Sequence, residues 1–255
     1  MLKLLRRLAA NISHRTTYVG PAGSRLYAVG DIHGRRDLLD ELLALIESDI
    51  LTRPVPKAVL VFLGDYIDRG PASAEVIERL CSLKAFPAHT LFLLGNHEEV
   101  LLRVLAGEPG LAYDWLTFGG DAFAASYGVN AIELTAMDED WIARTLSAAI
   151  PPSHVAFLKS CGDTFRFGDY LTVHAGIRPG MPIEDQLPKD LRWIRQPFLS
   201  DGQDHGCMVI HGHTITDGID MRANRIGIDT GAYRTGKLTA AVVEEADLRF
   251  LVTGV

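Results

Sequence analysis

The chain has 255 residues, of which 47% are hydrophobic and 22% are charged, and its formal net charge at pH 7 is −7. This composition is typical of a globular protein with a substantial core, and it excludes a disordered chain or a fibrous repeat. The acidic balance argues against a general nucleic-acid-binding protein, because affinity for a polyphosphate backbone normally comes from a surplus of Lys and Arg.

Residues 1–24 are predicted to form a flexible N-terminal extension that precedes a single domain at residues 25–255. Leucines alternate with basic residues over positions 1–10, a pattern shared by frayed termini and by short basic helices that touch a membrane surface or a partner. Residues 18–24, which are rich in glycine and proline, are interpreted as a linker. No stable membrane insertion is expected, because every apolar run is far shorter than the roughly 20 residues that span a bilayer core.

Strand and helix patterns alternate three times in the first part of the domain, which is the signature of an α/β fold. Each predicted strand ends in a polar, glycine-bearing turn, and each helix shows apolar residues at helical spacing. The second strand is almost wholly apolar, as is typical of a sheet covered on both faces. The predicted strands are 25–31, 57–65 and 89–96, and the predicted helices are 38–46, 71–83 and 98–105.

Residues 107–165 lack this alternation, and a mostly helical insertion is predicted there as a candidate lid over the site. Beyond the insertion, apolar strands alternate closely with Gly, Asp and Pro turns. This crowding predicts a second, largely antiparallel sheet. Its predicted strands are 170–174, 208–213, 225–229 and 237–243.

Potential metal ligands follow the predicted strands at five places, which is where open α/β sheets place their ligands. A single Asp or His at a strand end is more often a turn former or a packed side chain, but all five clusters together favour one site. The clusters are Asp31-Ile-His33-Gly, Gly64-Asp65-Tyr-Ile-Asp68-Arg69-Gly, Gly95-Asn96-His97-Glu, His174-Ala-Gly and His211-Gly-His213-Thr.

The donor types in these clusters indicate a metal centre. Carboxylate, imidazole and amide donors without thiolates suit Mn, with Fe or Zn as alternatives, and their number predicts two divalent ions. A water bound between two such ions loses a proton near neutral pH, and dinuclear sites of this kind hydrolyse phosphate esters. Cys81, Cys161 and Cys207 form no CxxC pair, so no thiolate zinc site is predicted and a reducing, cytoplasmic compartment is expected.

The ordered set of motifs resembles the phosphoprotein phosphatase family of serine/threonine phosphatases, within the calcineurin-like metallophosphoesterases. It is most similar to the small bacterial and phage members, whose Trp-x-Arg segment corresponds to Trp193-Ile-Arg195, and Asp229-Thr-Gly also fits. The resemblance implies an α/β fold in which two mixed β-sheets pack as a sandwich with flanking helices.

The resemblance also implies a role for each matching residue. Asp31 and His33 would bind the first ion, and Asp65 would bridge the two. The second ion would be bound by Asn96, His174 and His213. Periodicity alone leaves His211 and His213 equivalent, and it is the family's Gly-His-Thr motif that selects His213.

The remaining matches imply the chemistry. His97 would be the general acid, oriented by Asp68, and Arg69 and Arg195 would bind the substrate phosphate, because guanidinium geometry matches pairs of phosphate oxygens. The alternatives are salt bridges for the two arginines and a helix-capping role for Asp68. The family usually has arginine where this chain has Leu94, which leaves the substrate preference open.

The function implied is a metal-dependent phosphomonoester hydrolase that acts by direct attack of a metal-bridging hydroxide. The expected substrate is a phosphoserine or phosphothreonine protein or peptide, with phosphotyrosine as a further candidate. The alternatives are a dinucleoside polyphosphate hydrolase of the symmetrical diadenosine tetraphosphatase type and a non-catalytic metal-binding interaction module. Four aromatic residues of the insertion are more typical of core packing than of substrate contact, namely Tyr113, Trp115, Phe118 and Phe123.

Overall fold

The computed structural model describes residues 18–254. The strands in this range are β1 (Ser24–Val29), β2 (Lys57–Phe62), β3 (His89–Phe92), β4 (Thr164–Phe167), β5 (Tyr170–Val173), β6 (Met208–His211), β7 (Asp220–Met221), β8 (Arg225–Gly227), β9 (Thr239–Glu244) and β10 (Asp247–Val252). The α-helices are α1 (Arg36–Thr52), α2 (Ser73–Cys81), α3 (Asn96–Leu105), α4 (Ala112–Trp115), α5 (Asp121–Ser126), α6 (Ala131–Thr135), α7 (Glu139–Ala149), α8 (Pro152–Lys159), α9 (Pro188–Trp193) and α10 (Ala232–Thr235).

The strands form two mixed sheets, as predicted. The first has the order β10-β9-β1-β2-β3, in which β1, β2 and β3 are parallel, and the second has the order β4-β5-β6-β8-β7. Successive residues of a strand point to opposite faces, so β1 contributes to two cores. Leu26 and Ala28 pack toward the second sheet with Ile210, whereas Tyr27 and Val29 pack in the cluster that contains the helices. Burial on both faces explains why β1 and β2 are so apolar.

The sheet assignment of two regions differs from the prediction. The strand predicted at 237–243 was placed in the second sheet, and this was wrong, because β9 pairs antiparallel with β1 in the first sheet. The second sheet is also not largely antiparallel, since β6 is parallel to both β5 and β8. An apolar run specifies a strand but not its partner, which is chosen by packing across distant parts of the chain.

The predicted insertion is helical from α4 to α8, but β4 starts at Thr164 and joins the second sheet. The predicted linker is held against the sheets, because the amide of Val19 donates to Oδ2 of Asp169 at 2.9 Å and that of Gly20 donates to the Glu245 carbonyl at 2.8 Å. Residues 1–17, with the predicted basic helix, lie outside the described residues. No helix in the described part of the chain has the length and apolarity needed to cross a bilayer.

A partly buried ionic cluster attaches α1 to the first sheet. Asp49, near the end of α1, accepts hydrogen bonds from Tyr27 at 2.5 Å, Arg25 at 3.1 Å and Arg249 at 2.6 Å. Burial raises the pKa of Asp49, but the hydrogen bonds from Arg249 and Tyr27 and the charge of Arg25 lower it by more, so the net pKa is lowered. The carboxylate therefore stabilises the fold in its ionised form.

We expect D49N to lower the free energy of unfolding by about 1–3 kcal/mol at neutral pH, because Arg249 and Tyr27 lose their charged hydrogen-bond partner, while Arg25 keeps its ion pair with Glu244. A group whose pKa is lowered in the fold contributes fully above its unfolded pKa of about 4 and loses that contribution as the pH falls below it. The difference between D49N and the parent should therefore shrink below about pH 4 in urea unfolding measured across pH. D40N is the control, since Asp40 forms exposed ion pairs worth about 1 kcal/mol or less.

Candidate metal and phosphate site

The loops after β1, β2, β3, β5 and β6 meet at one end of the sandwich and bring the six predicted metal ligands together. In the first sheet these loops follow the carboxyl ends of the parallel strands, where helix-sheet connections leave a crevice. All six side chains are buried: Asp31, His33, Asp65, Asn96, His174 and His213. The site therefore combines carboxylate, imidazole and amide groups away from solvent, which requires that they satisfy each other or bind a ligand.

The backbone at this end of the molecule is strained. Among the described residues, six non-glycine residues have positive φ, and only Glu245 lies outside the clusters identified from sequence. Such conformations cost about 1–3 kcal/mol each and concentrate at functional sites. The other five are His33, Asp65, Asp68, Arg69 and His213.

Asp65 lies between two groups of histidines and presents a different oxygen to each. Its Oδ2 is 3.6 Å from Nε2 of His33 and 4.0 Å from Nε2 of His97, and its Oδ1 is 3.4 Å from Nε2 of His174. With His213, these residues form two sets of metal-binding atoms, each contained within 4.8 Å and sharing Asp65. One carboxylate shared in this way has the geometry of a bridging ligand.

The hydrogen bonds around His174 identify where a cation fits. Nδ1 of His174 lies 2.9 Å from the carbonyl of Leu63 and donates to it, so Nε2 carries no proton. This bare nitrogen is 3.0 Å from Oδ1 of Asn96, which is also an acceptor. Nδ1 of His213 lies 2.8 Å from the same oxygen. Two acceptors this close repel each other unless a cation binds both, so the donor set fits a divalent metal.

The protonation states suit metal binding. Burial lowers the pKa of His33 to about 3 and that of His213 to about 2, and it also lowers the pKa of His174. Burial raises the pKa of Asp65, but its interactions with the neighbouring His174, His97 and His33 outweigh burial, so the net pKa is lowered. Neutral imidazoles around an ionised carboxylate are the form in which these groups bind metals.

Asp31 lies at the edge of this arrangement, outside both sets of metal-binding atoms. Its carboxylate accepts the amide hydrogen of His213, at 3.0 and 3.2 Å for the two oxygens. Burial and the nearby charges of Asp229 and Asp65 raise the pKa of Asp31, and burial raises that of Asp229 to about 6. Oδ2 of Asp229 is buried and has no hydrogen-bond partner within residues 18–254. Buried acids crowded in this way are stabilised by a nearby cation.

His97 differs from the other histidines of the site. Its Nδ1 is 2.6 Å from Oδ2 of Asp68. Burial lowers the pKa of His97, but Asp65 and Asp68 raise it by more, so the net pKa is raised. The pKa values of the histidines in this pocket are therefore separated: some imidazoles are neutral, and that of His97 favours its protonated form. Such a separation allows the neutral imidazoles to bind metal and the protonated one to act as an acid. Asp68 does not cap a helix, because α2 begins beyond Ala72 without a side-chain cap.

The two predicted phosphate-binding arginines line a cavity of about 380 Å³, hereafter the site cavity. Neither side chain pairs with a carboxylate within residues 18–254, and Arg195 is exposed. Nη1 of Arg69 lies 2.7 Å from Nε2 of His33, and its guanidinium is 5.1 Å from the ring of Tyr233. The resemblance makes His33 a metal ligand, and because Nδ1 of His33 faces the Ile67 carbonyl at 2.7 Å, Nε2 is the nitrogen left for the metal. Arg69 contacts this nitrogen, so its contact and a metal bond at Nε2 exclude each other.

The structure separates His211 from the site. Its Nε2 faces the Arg225 guanidinium at 3.3 Å, and burial lowers its pKa to about 4. Leu94 is buried and does not line the site cavity, and its amide donates to the Gly162 carbonyl at 2.7 Å. His213, and not His211, contacts Asn96.

Sequence reasoning missed the structural role of Glu98. Its buried carboxylate accepts the amides of Tyr66 at 2.7 Å, Asp65 at 2.9 Å and Gly95 at 3.0 Å, which links the loop after β2 to the start of α3. Burial raises the pKa of Glu98 to about 8, and these N–H donors favour its charged form. The available signal was a glutamate three residues after the helix N-cap, which is the position of a capping box.

The aromatic residues of the insertion divide between core and cavity. Phe123 is fully buried and packs against Trp115 at 5.7 Å between ring centroids. Trp115 and the exposed Phe118 line the site cavity. Tyr113 is outside the cavity lining and donates to the Met137 carbonyl at 2.8 Å. The prediction of core packing is therefore correct for Phe123. It is incomplete for Trp115, because its indole also contacts a site residue.

Residues 24–246 match the family model described as calcineurin-like phosphoesterase. The chain is a calcineurin-like phosphoesterase. The resemblance seen in the sequence motifs is therefore confirmed, and this family uses divalent metals. The chain is 30% identical to "Serine/threonine-protein phosphatase 2" of Escherichia coli (strain K12), covering 84% of this chain and 90% of that protein.

Other relatives of this phosphoesterase have a different named substrate. It is 27% identical to a symmetrical bis(5'-nucleosyl)-tetraphosphatase of Janthinobacterium sp. (strain Marseille), over 84% of this chain and 91% of that protein. Among solved structures, a candidate diadenosine tetraphosphatase covers 92% of this chain with a TM-score of 0.63 and 22% identity. A cold-active protein tyrosine phosphatase covers 94% with a TM-score of 0.54 and 16% identity. These structures confirm the predicted fold.

Proposed function

We propose that this phosphoesterase is a protein serine/threonine phosphatase that hydrolyses phosphomonoesters by direct water attack, with phosphotyrosine as a further substrate. The observation that carries the proposal is the position of Asp65, which presents one oxygen to His33 and the other to His174. A shared carboxylate beside a carboxylate-paired imidazole suits a hydrolase better than a simple metal holder.

The donor groups suggest how two divalent cations would be held. Asp31, His33 and Asp65 would bind the first, and Asp65 would share the second with Asn96, His174 and His213. Bound cations would supply positive charge opposite the phosphoryl oxygens and would acidify a water molecule. Oxygen and imidazole donors suit Mn, with Fe or Zn as alternatives.

The chain's own residues would bind the substrate and transfer the proton. Arg195 is free to bind phosphate oxygens, and Arg69 would join it by turning from His33 into the site cavity. His97 donates its Nδ1 hydrogen to Asp68, which leaves the Nε2 proton for the leaving oxygen. As the bond from phosphorus to the serine oxygen breaks, this proton would neutralise the alkoxide.

The charge of the site cavity favours a monoester over a polyphosphate. Its lining contains two arginines, Arg69 and Arg195, and one carboxylate, Asp114. Asn96, His97 and His213 also line the cavity, and the remaining wall is apolar. This apolar part suits the side chain and backbone of a peptide and consists of Val100, Leu111, Trp115, Phe118 and Trp193.

The second candidate is hydrolysis of dinucleoside polyphosphates. It is supported by the relative named symmetrical bis(5'-nucleosyl)-tetraphosphatase, which aligns with most of this chain. The aromatic wall formed by Trp193 and Phe118 would also stack with nucleobases.

A substrate panel decides between these functions. Phosphoserine, phosphothreonine and phosphotyrosine peptides and diadenosine tetraphosphate should be compared at equal concentrations of enzyme loaded with Mn, Fe or Zn. We expect the highest kcat/KM on a phosphopeptide. Faster cleavage of the dinucleotide would establish the second candidate, and no hydrolysis in any loaded form would support a non-catalytic metal-binding module.

Replacing Asp114 tests the charge argument. We expect D114N to raise kcat/KM for diadenosine tetraphosphate by about two- to fivefold, because it removes repulsion worth up to about 1 kcal/mol at an exposed position. A phosphoserine peptide carries less negative charge and should respond less. D140N, on the exposed face of α7, is the matched control. An equal response of both substrates, or none, would show that Asp114 does not influence selectivity.

A further inference from the structure

The insertion makes a direct contact with the pair formed by His97 and Asp68. Nε1 of Trp115 donates to Oδ2 of Asp68 at 3.1 Å, and this is the same oxygen that accepts Nδ1 of His97 at 2.6 Å. Trp115 is 2% exposed and Asp68 is fully buried. The indole therefore acts on the carboxylate without water between them, where a hydrogen bond to a charged group is strong.

The two donors together fix the rotation of the Asp68 carboxylate. Its other oxygen, Oδ1, is buried and has no hydrogen-bond partner in the described part of the chain. With His97 as the single donor, the carboxylate could rotate and the imidazole would turn with it. With Trp115 as a second donor, Oδ2 is held in one direction, and so is the ring of His97.

The insertion is built to hold the indole in place. Phe123 packs edge-on against it at 5.7 Å, and a Cβ at Gly120 would overlap the indole ring. Gly119, with φ of +113°, turns its carbonyl to accept the amide of Arg69 at 3.0 Å. The same turn therefore contacts Asp68 through a side chain and its neighbour Arg69 through the backbone.

We propose that Trp115 is a positioning residue for proton transfer: through its hydrogen bond to Oδ2 of Asp68, it holds His97 in the orientation that protonates the leaving group. This inference rests on the proposed function, in which His97 is the general acid. It assigns the insertion a role in the chemical step in addition to its contribution to the cavity wall. Trp115 contacts no reacting atom in this role.

The test compares the kcat of W115F on two substrates that have different leaving groups. We expect kcat for a phosphoserine peptide to fall by about 10- to 100-fold, the range for loss of one hydrogen bond to a charged group. On p-nitrophenyl phosphate, whose leaving group needs no acid, kcat should fall by less than about threefold. KM for p-nitrophenyl phosphate should change little. W141F is the matched control, because Trp141 is exposed on α7 and does not line the site cavity.

A second variant separates the hydrogen bond from packing. Benzothienylalanine at position 115 replaces the indole N–H by sulfur and keeps the ring shape, so it should reproduce the W115F pattern even if W115F folds poorly. Equal losses on both substrates, or no loss, would overturn the proposal for Trp115. H97N is measured beside it: if H97N itself shows no leaving-group dependence, the general-acid role fails, whereas a dependence in H97N alone rejects only Trp115.

Discussion

D65N is expected to abolish metal binding and the hydrolysis of every substrate. The substitution keeps the side-chain volume but replaces one of the two carboxylate oxygens by an NH₂ group, which cannot bind a cation. Because the two oxygens of Asp65 face different histidine groups, no other residue in the described structure can replace it as the shared donor. Loss of outer-shell partners costs about 10- to 100-fold in metal affinity, and loss of a shared ligand should exceed this.

The measurement combines metal analysis with thermal unfolding. The parent should gain about 2.7 kcal/mol of stability at a Mn concentration of about 100 times Kd, and D65N should gain none. D37N is the control, since Asp37 pairs with Arg35 on an exposed face of the protein. Full metal occupancy in D65N, or the stabilisation by Mn seen in the parent, would contradict the bridging role.

Much of the fold could be predicted because the chain alternates strand and helix patterns in its first part. The apolar runs of β1 and β2 and the helical spacing in α1 are local features, and the structure reproduces them. The position of β9 could not be predicted, because its pairing with β1 joins residues more than two hundred positions apart. A strand pattern is equally compatible with either sheet, and only tertiary packing selects one.

The residue types of the candidate site could be predicted from the sequence, but the residues that hold them in position could not. Asp65 and His97 belong to short motifs that can be identified in the sequence. Glu98 and Trp115 act through contacts that depend on the tertiary fold: Glu98 accepts backbone amides of the loop after β2, and Trp115 reaches Asp68 from the insertion. The positive φ angles of Asp65 and Asp68 were also hidden, because neither residue type requires that conformation.

H97N is expected to lower kcat much more on substrates with poor leaving groups than on substrates with good ones. Serine and threonine alkoxides are poor leaving groups and need a proton in the transition state, so kcat on a phosphoserine peptide should fall by about 10² to 10⁴. The p-nitrophenolate ion is stable without a proton, so kcat on p-nitrophenyl phosphate should fall far less. Asparagine retains a hydrogen-bonding side chain but cannot supply the proton held at Nε2.

The arrangement around His97 makes this result specific to proton transfer. Asp68 accepts Nδ1 at 2.6 Å, which fixes the ring and favours its protonated form, while Nε2 lies 4.0 Å from Oδ2 of Asp65. H89N is the control, because His89 begins the edge strand β3 and is exposed. Metal content should match the parent, since His97 is not among the proposed ligands. Equal losses on both substrates, or loss of bound metal in H97N, would identify His97 as a ligand instead of the acid, consistent with its place in the same set of metal-binding atoms as His33 and Asp65.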